Sequence, residues 1–384
     1  MSVRADPTFL RELKNYGAFD ISACFNCGNC TAICPLSTDA EVFPRRLIRY
    51  GQLGLRERLL SSSELWLCYY CGECSDTCPR EAEPGEFMAS ARRLAIAQYD
   101  ITGLARALYT SPWATALVLI VAAAVLAGIM LAKRGPMTPV PLALFEFIPA
   151  SVIHDVGVVV LVIVAVVGLV NALRMVYIVS RAAGSPPSLV SFVIALVKTV
   201  IVEVLGQQRY RECDAEKELP WIVKPWFIHA AMAWGFFGLL AATAANWLLD
   251  LAGIKPTGTM VPLWYPVRLL GTVAGVFLVY GSTAAIVKRL YKPDKPTSHS
   301  LHSDWVFLLM LWAAGVTGYA VEISLYLSPP QLWAYYVFIV HVVVSMELVL
   351  LAPFTKFAHV FYRTVALAVR AAQEEAQAPV PQEA

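Results

Sequence analysis

The chain has 384 residues, 58% of them hydrophobic and only 15% charged, with a mean hydropathy of +0.60 and a formal net charge of +2. That is too apolar for a soluble protein of this length and reads as a membrane protein. The small net charge, with basic residues set beside apolar runs, points to no nucleic-acid partner. Polar residues concentrate before about residue 110, which predicts a soluble domain over 1–110, a membrane domain over 111–370 and a disordered tail over 371–384.

Residues 1–23 read as a short lead-in, with Phe9, Leu10 and Leu13 at helical spacing. Then one run occurs twice: Cys24, Cys27, Cys30, Cys34 and Pro35, followed by Cys68, Cys71, Cys74, Cys78 and Pro79. The spacing C-x2-C-x2-C-x3-C-P is the bacterial ferredoxin run for a pair of 4Fe-4S clusters, in which the fourth Cys ligates the other cluster. This assigns one cluster to Cys24, Cys27, Cys30 and Cys78, and a second to Cys68, Cys71, Cys74 and Cys34. Structural zinc has no use for a third evenly spaced thiolate or for the prolines. Disulfides require an oxidising compartment, and the first residues lack a signal-peptide pattern. Between the runs, apolar residues from Val42 to Leu60 alternate with Arg45, Arg46, Arg49, Arg56 and Arg58, predicting amphipathic helix; its arginines form a solvated face or a partner surface. Residues 86–109 are again expected to be helical and to lead into the membrane.

Six apolar stretches are long enough to span: Trp113–Ala132, Val156–Leu173, Trp226–Leu249, Leu269–Val287, Trp305–Val321 and Trp333 to about Phe357. Leu189–Leu205 contains Lys198 and Glu203 and is expected to lie along the interface instead. In the six-span arrangement Arg174, Arg181, Arg209, Arg211, Lys217, Lys224, Lys288, Arg289, Lys292, Lys295, Lys356, Arg363 and Arg370 fall on one side. The other holds Lys133, Arg134, Lys255 and Arg268. The positive-inside rule then predicts a multi-pass protein of the cytoplasmic membrane, with both termini and the cluster domain cytoplasmic.

Of six histidines, His154, His229, His341 and His359 stand in or at the edge of spans, where an ionisable group is a ligand candidate. His341 and His359 are five turns apart, so one undistorted helix carries both on one face, roughly 27 Å apart along its axis. Each then serves as an axial ligand to a haem near one membrane face. By depth, His229 pairs with His359 at the inner haem and His154 with His341 at the outer. Pro353 between the two last-helix histidines is a potential kink. His299 and His302 read as solvent-exposed or interfacial residues of a polar loop, with His302 near enough to the fifth span to compete as an inner ligand. Glu347, inside the last span, is a candidate for relaying the quinol proton or contacting quinone, or else hydrogen-bonds between helices. Cys213 reads as an inert packing thiol. No G-x-G-x-x-G or P-loop is present, so flavin or nucleotide chemistry belongs to partners.

The duplicated Cys run and the His341/His359 spacing resemble the C-subunit family of the quinone-interacting membrane-bound oxidoreductase, Qmo. There, a domain like the C subunit of heterodisulfide reductase is fused to a cytochrome b like its E subunit and the nitrate reductase gamma subunit. The resemblance covers nearly the whole chain and implies an all-α fold: a helical ferredoxin-like two-cluster domain followed by a six-span bundle of cytochrome b type. It implies two 4Fe-4S clusters, two b haems and menaquinone as substrate. It also implies soluble QmoA/QmoB-like flavin and iron–sulfur subunits as partners, with electrons passing between menaquinone and adenylylsulfate reductase. On its equivalent helix the gamma subunit has a second ligand ten residues along, where this chain has Leu239. Either His154 supplies that ligand or the outer haem is absent; the two-haem pattern of the family favours the first. The alternative function is the membrane arm of a heterodisulfide reductase-like or Dsr-type sulfur redox complex.

Overall fold

A computed structural model describes all residues except 1–3, 39–41, 139–141, 184–186, 214–217, 257, 292–294, 328–330 and 378–384. Lys217, Lys292 and the end of the tail lie outside the described residues. The described chain is built of helices and turns, without a strand.

The cluster domain is arranged around the helix Pro84–Tyr99. Proline at its first turn suits helix initiation, since its missing N–H has no intrahelical partner there. The helix is buried nearly all round, with Phe87, Met88, Ala91, Leu94 and Ala95 fully buried. Side chains such as Phe87 and Leu94 each contribute about 1.5–3 kcal/mol by leaving water. Against it pack Phe9–Lys14, Arg45–Gln52 and the turn carrying Trp66. The arginines of the intervening stretch are partly engaged inside the domain, Arg46 with Glu64 and Arg56 with Glu12.

Six helices are long and apolar enough to cross a membrane: Pro112–Ala132, Ala150–Ala183, Pro225–Leu251, Pro266–Tyr291, His302–Ser324 and Trp333–Leu350. They match the six expected spans, and Leu189–Thr199 is not among them. That segment packs on the C-terminal helix Ala358–Gln377 through Ala195, Ala368 and Ala372. It leaves Leu189, Val190, Ile194 and Val197 exposed. Ala372 is fully buried, and the C-terminal helix continues through Gln377, so the expected tail from 371 is helical in its first residues.

The third and fourth spans approach most closely. A Cβ on Gly235 would lie 2.4 Å from the Leu278 nitrogen, and one on Gly281 2.8 Å from the Met232 nitrogen. Small residues at both points let the backbones meet, as in small-xxx-small packing in membranes.

The second span is longer than its apolar core, and its end packs into the cluster domain through Met175 and Val179. A buried ion cluster adds to this junction: Arg93 pairs with Glu86 at 2.8 Å and with Asp304 of the fifth span at 2.9 Å, and Lys356 pairs with Asp304 at 2.8 Å.

The single last helix of the sequence reading is overturned. The sixth span ends at Leu350, a 3₁₀ turn over Ala352–Phe354 follows, and a separate helix begins at Ala358. Pro353 in the turn has no N–H to donate and would clash with the preceding carbonyls of a continuous helix. His341 and His359 therefore stand on different helices, and the five-turn phase relation does not apply.

Candidate iron–sulfur and histidine sites

The two Cys runs take the same local conformation twice. Asn26 and Gly28 have φ of 65° and 95°; their counterparts Tyr70 and Gly72 have 60° and 97°. Left-handed backbone at a tyrosine is unfavourable on its own and is kept where the surroundings require it. It turns the Asn26 N–H onto Cys24 Sγ at 3.4 Å and the Tyr70 N–H onto Cys68 Sγ at 3.3 Å, while the Ala82 N–H meets Cys78 Sγ at 3.4 Å. A one-turn helix follows each loop, Asn29–Ala32 and Glu73–Asp76; the two pack together, with Asn29 donating to the Thr77 carbonyl at 2.6 Å.

This pairing brings the fourth cysteine of each run near the other run. Cys24 and Cys30 have Cys27 and Cys78 as neighbouring thiols, whereas Cys34 and Cys74 have Cys68 and Cys71, with Cys30 also near both. Burial pushes the Cys30 thiol up to about 11 and Cys34 up to about 12. Bare thiolates are thus disfavoured here, and an iron cluster that holds them deprotonated fits this donor set. Among the described residues no three His, Cys, Asp or Glu side chains close on a point the size of one metal ion. A four-iron cubane distributes its ligands over four irons. Cys27 is exposed and Cys68 buried, so the first group lies nearer the surface and the second deeper. Cys213, read as an inert thiol, lies beside Cys71 and shares a cavity with Cys34, Cys68 and Cys74.

Behind Cys68 and Cys71, between the cluster domain and the spans, lies a cavity of about 320 Å³ that His229, Phe236, His359 and Arg363 also line. His229 is in the second turn of the third span and His359 at the start of the C-terminal helix. Their rings are 6.1 Å apart, centre to centre, at 58°. Nδ1 of His229 meets Gln207 Oε1 at 3.0 Å, and Nδ1 of His359 meets the Lys356 carbonyl. With Nδ1 engaged in both rings, Nε2 is the nitrogen each has to offer. A hydrogen bond at the far ring nitrogen is what orients metal-bound imidazoles. Two imidazole–metal bonds of about 2 Å, with the half-width of each ring, add up to roughly the observed separation. The pair fits a bis-imidazole iron.

The other two span histidines are not joined in this way. His341 has Nδ1 against Thr317 Oγ1 at 3.1 Å and lies against Gly318, where a Cβ would come 3.0 Å from its Cε1. His154 meets Trp247 at 6.4 Å, and no ring contact links it to His341 among the described residues. His302 uses Nε2 on the Leu108 carbonyl at 2.9 Å, and His299 lies 3.8 Å from Glu83. Glu347 is 5% exposed, and among the described residues its Oε1 has no hydrogen-bond partner.

Sequence reasoning misses Arg92 and Arg363. Both donate to the Cys68 carbonyl; Arg363 also donates to Leu67 O at 3.0 Å and lies over the Tyr69 ring at 3.5 Å. Arg363, one turn beyond His359, enters the sequence reading only as a topology signal.

The 4Fe-4S dicluster domain family matches residues 20–82. A protein of Archaeoglobus profundus named as like the C subunit of heterodisulfide reductase is 39% identical over 94 residues, 24% of this chain and 50% of the relative. The iron–sulfur C subunit of the CoB–CoM heterodisulfide reductase of Methanopyrus kandleri is 34% identical over 98 residues, 23% of this chain and 51% of the relative. The N-terminal region is thus a two-cluster iron–sulfur domain similar to the C subunits of heterodisulfide reductases. Six apolar helices are joined to it. The chain spans about half the length of these curated relatives. No solved structure matches the chain.

Proposed function

We propose that this chain is the membrane electron-transfer subunit of a redox complex of the Qmo kind. It links menaquinone to cytoplasmic flavin and iron–sulfur subunits and serves adenylylsulfate reductase. The observation that carries this reading is the His229–His359 pair, 6.1 Å apart, in one cavity with Cys68 and Cys71. Cys24, Cys27, Cys30 and Cys78 would hold one 4Fe-4S cluster, and Cys68, Cys71, Cys74 and Cys34 the other. His229 and His359 would hold the inner b haem, and His154 and His341 the outer one. When bound, these groups supply one-electron carriage.

The chain's own residues do the rest. Gln207 and the Lys356 carbonyl set the imidazole tautomers. Phe236 and Phe357, 4.7 Å apart, help to keep water from the cavity. Arg363 ties the helix of His359 to the Cys68 loop. Glu347, buried with a free carboxylate oxygen, is the candidate to take a quinol proton or contact the quinone.

The test is the absorption spectrum of the purified chain with its haem content. Two b-type haems are expected; His229→Ala and His359→Ala should each remove the same one and spare both clusters. Absence of haem from the intact, cluster-loaded chain would sink this reading. The similarity to heterodisulfide reductase subunits favours a second reading, the membrane arm of a heterodisulfide reductase-like or Dsr-type complex. The soluble subunits that co-purify decide between the two.

A further inference from the structure

The junction between the cluster domain and the spans is rich in cations, and several are neutralised in place. Arg93 has Glu86 and Asp304, Lys356 has Asp304, and Arg209 has Glu203 at 3.1 Å. Arg92 and Arg363 are different. Among the described residues, neither has a carboxylate within ion-pair distance, and both direct guanidinium N–H groups at the carbonyl of Cys68. Arg363 makes a fork, 3.0 Å to Cys68 O and 3.0 Å to Leu67 O, and its Nε is buried without a partner. Two cations gathered at one buried loop without anions are unfavourable unless an anion belongs there. A 4Fe-4S cluster on four thiolates is an anion, and it gains a further negative charge on reduction.

We propose that Arg92 and Arg363 are the counter-charges of the cluster held by Cys68, Cys71, Cys74 and Cys34, raising its reduction potential so that it accepts electrons on the side of the histidine cavity. Burial alone disfavours the more highly charged reduced form. Fixed cations in the same low-dielectric surroundings oppose that penalty, because they are poorly screened there. The first group has a different counterpart: Arg45 is near Cys24, but its Nε is bonded to Asn26 Oδ1 at 2.8 Å. Arg92 and Arg363 also line the cavity, so the competing occupant is an acidic group on a molecule bound between His229 and His359. The inference rests on the cluster part of the proposed function and not on its haem part.

The test is an electron paramagnetic resonance redox titration of the full-length, cluster-loaded chain and its Arg363→Gln, Arg92→Gln and Arg363→Lys variants, with iron and sulfide counted in each. Arg363→Gln and Arg92→Gln should each make the second cluster at least tenfold harder to reduce, a fall of about 59 mV for one electron. The first cluster should stay in place, and Arg363→Lys should retain most of the wild-type potential because it keeps the charge. If Arg363→Gln fails to hold its cluster, Arg92→Gln decides alone. The proposal is overturned by an unmoved second-cluster potential in the Gln variants, or by equal shifts for Gln and Lys. It is also overturned if only the cavity chromophore responds. An intact chain without haem absorbance but with the cluster shift leaves this inference standing and the haem reading refuted.

Discussion

The proposed crossed assignment turns on the fourth cysteine of each run: the contact between Asn29–Ala32 and Glu73–Asp76 brings Cys78 near Cys24 and Cys30, and Cys34 near Cys68 and Cys71. Cys78→Ser should therefore disturb the cluster of Cys24, Cys27 and Cys30, and Cys34→Ser the other, as read by electron paramagnetic resonance of each variant. Damage confined to a variant's own run would refute the crossed assignment. The same scale explains the histidines. An imidazole becomes a useful ligand when its other nitrogen is held, and Gln207 and the Lys356 carbonyl do this for His229 and His359.

Between elements, backbone approach and helix breaks matter more than hydrophobicity. Gly235 and Gly281 permit the third and fourth spans to touch backbone to backbone, so Gly235→Val cannot be accommodated by a side-chain shift. Overpacking at such a point costs typically 1–3 kcal/mol. Thermal unfolding in detergent should therefore shift downward by several degrees. An unchanged midpoint would mean that the two spans do not pack in this register. The break at Pro353 separates His341 from His359, and it lets the C-terminal helix leave the bundle to pack on Trp66 and Tyr99 of the cluster domain.

At the scale of the whole molecule, the second and fifth spans reach into the cluster domain, which sits on the face where the lysines and arginines gather. If, as proposed, the cluster domain is cytoplasmic and quinol is oxidised near the far face, each electron moves inward against an inside-negative potential, at about 2.3 kcal/mol per 100 mV. Quinol oxidation in oriented proteoliposomes should then slow when an inside-negative potential is imposed. A rate indifferent to potential would place the quinone site on the cluster-domain side.

The duplicated cysteine run, the six spans and the helical character are local or periodic properties, so the amino-acid order alone determined them. Eight cysteines in a duplicated run and six uncharged stretches of spanning length leave few alternatives. Other features depend on contacts between residues far apart in the chain. No spacing rule brings Arg363 to the Cys68 loop, Gln207 to His229, Cys213 to Cys71 or Arg93 to Asp304, since each pair meets only when the helices pack. The continuous last helix failed for the same reason. Helical phase extrapolates along an unbroken hydrogen-bond ladder, and the turn at Pro353 ends that ladder and lets tertiary packing place His359 opposite His229.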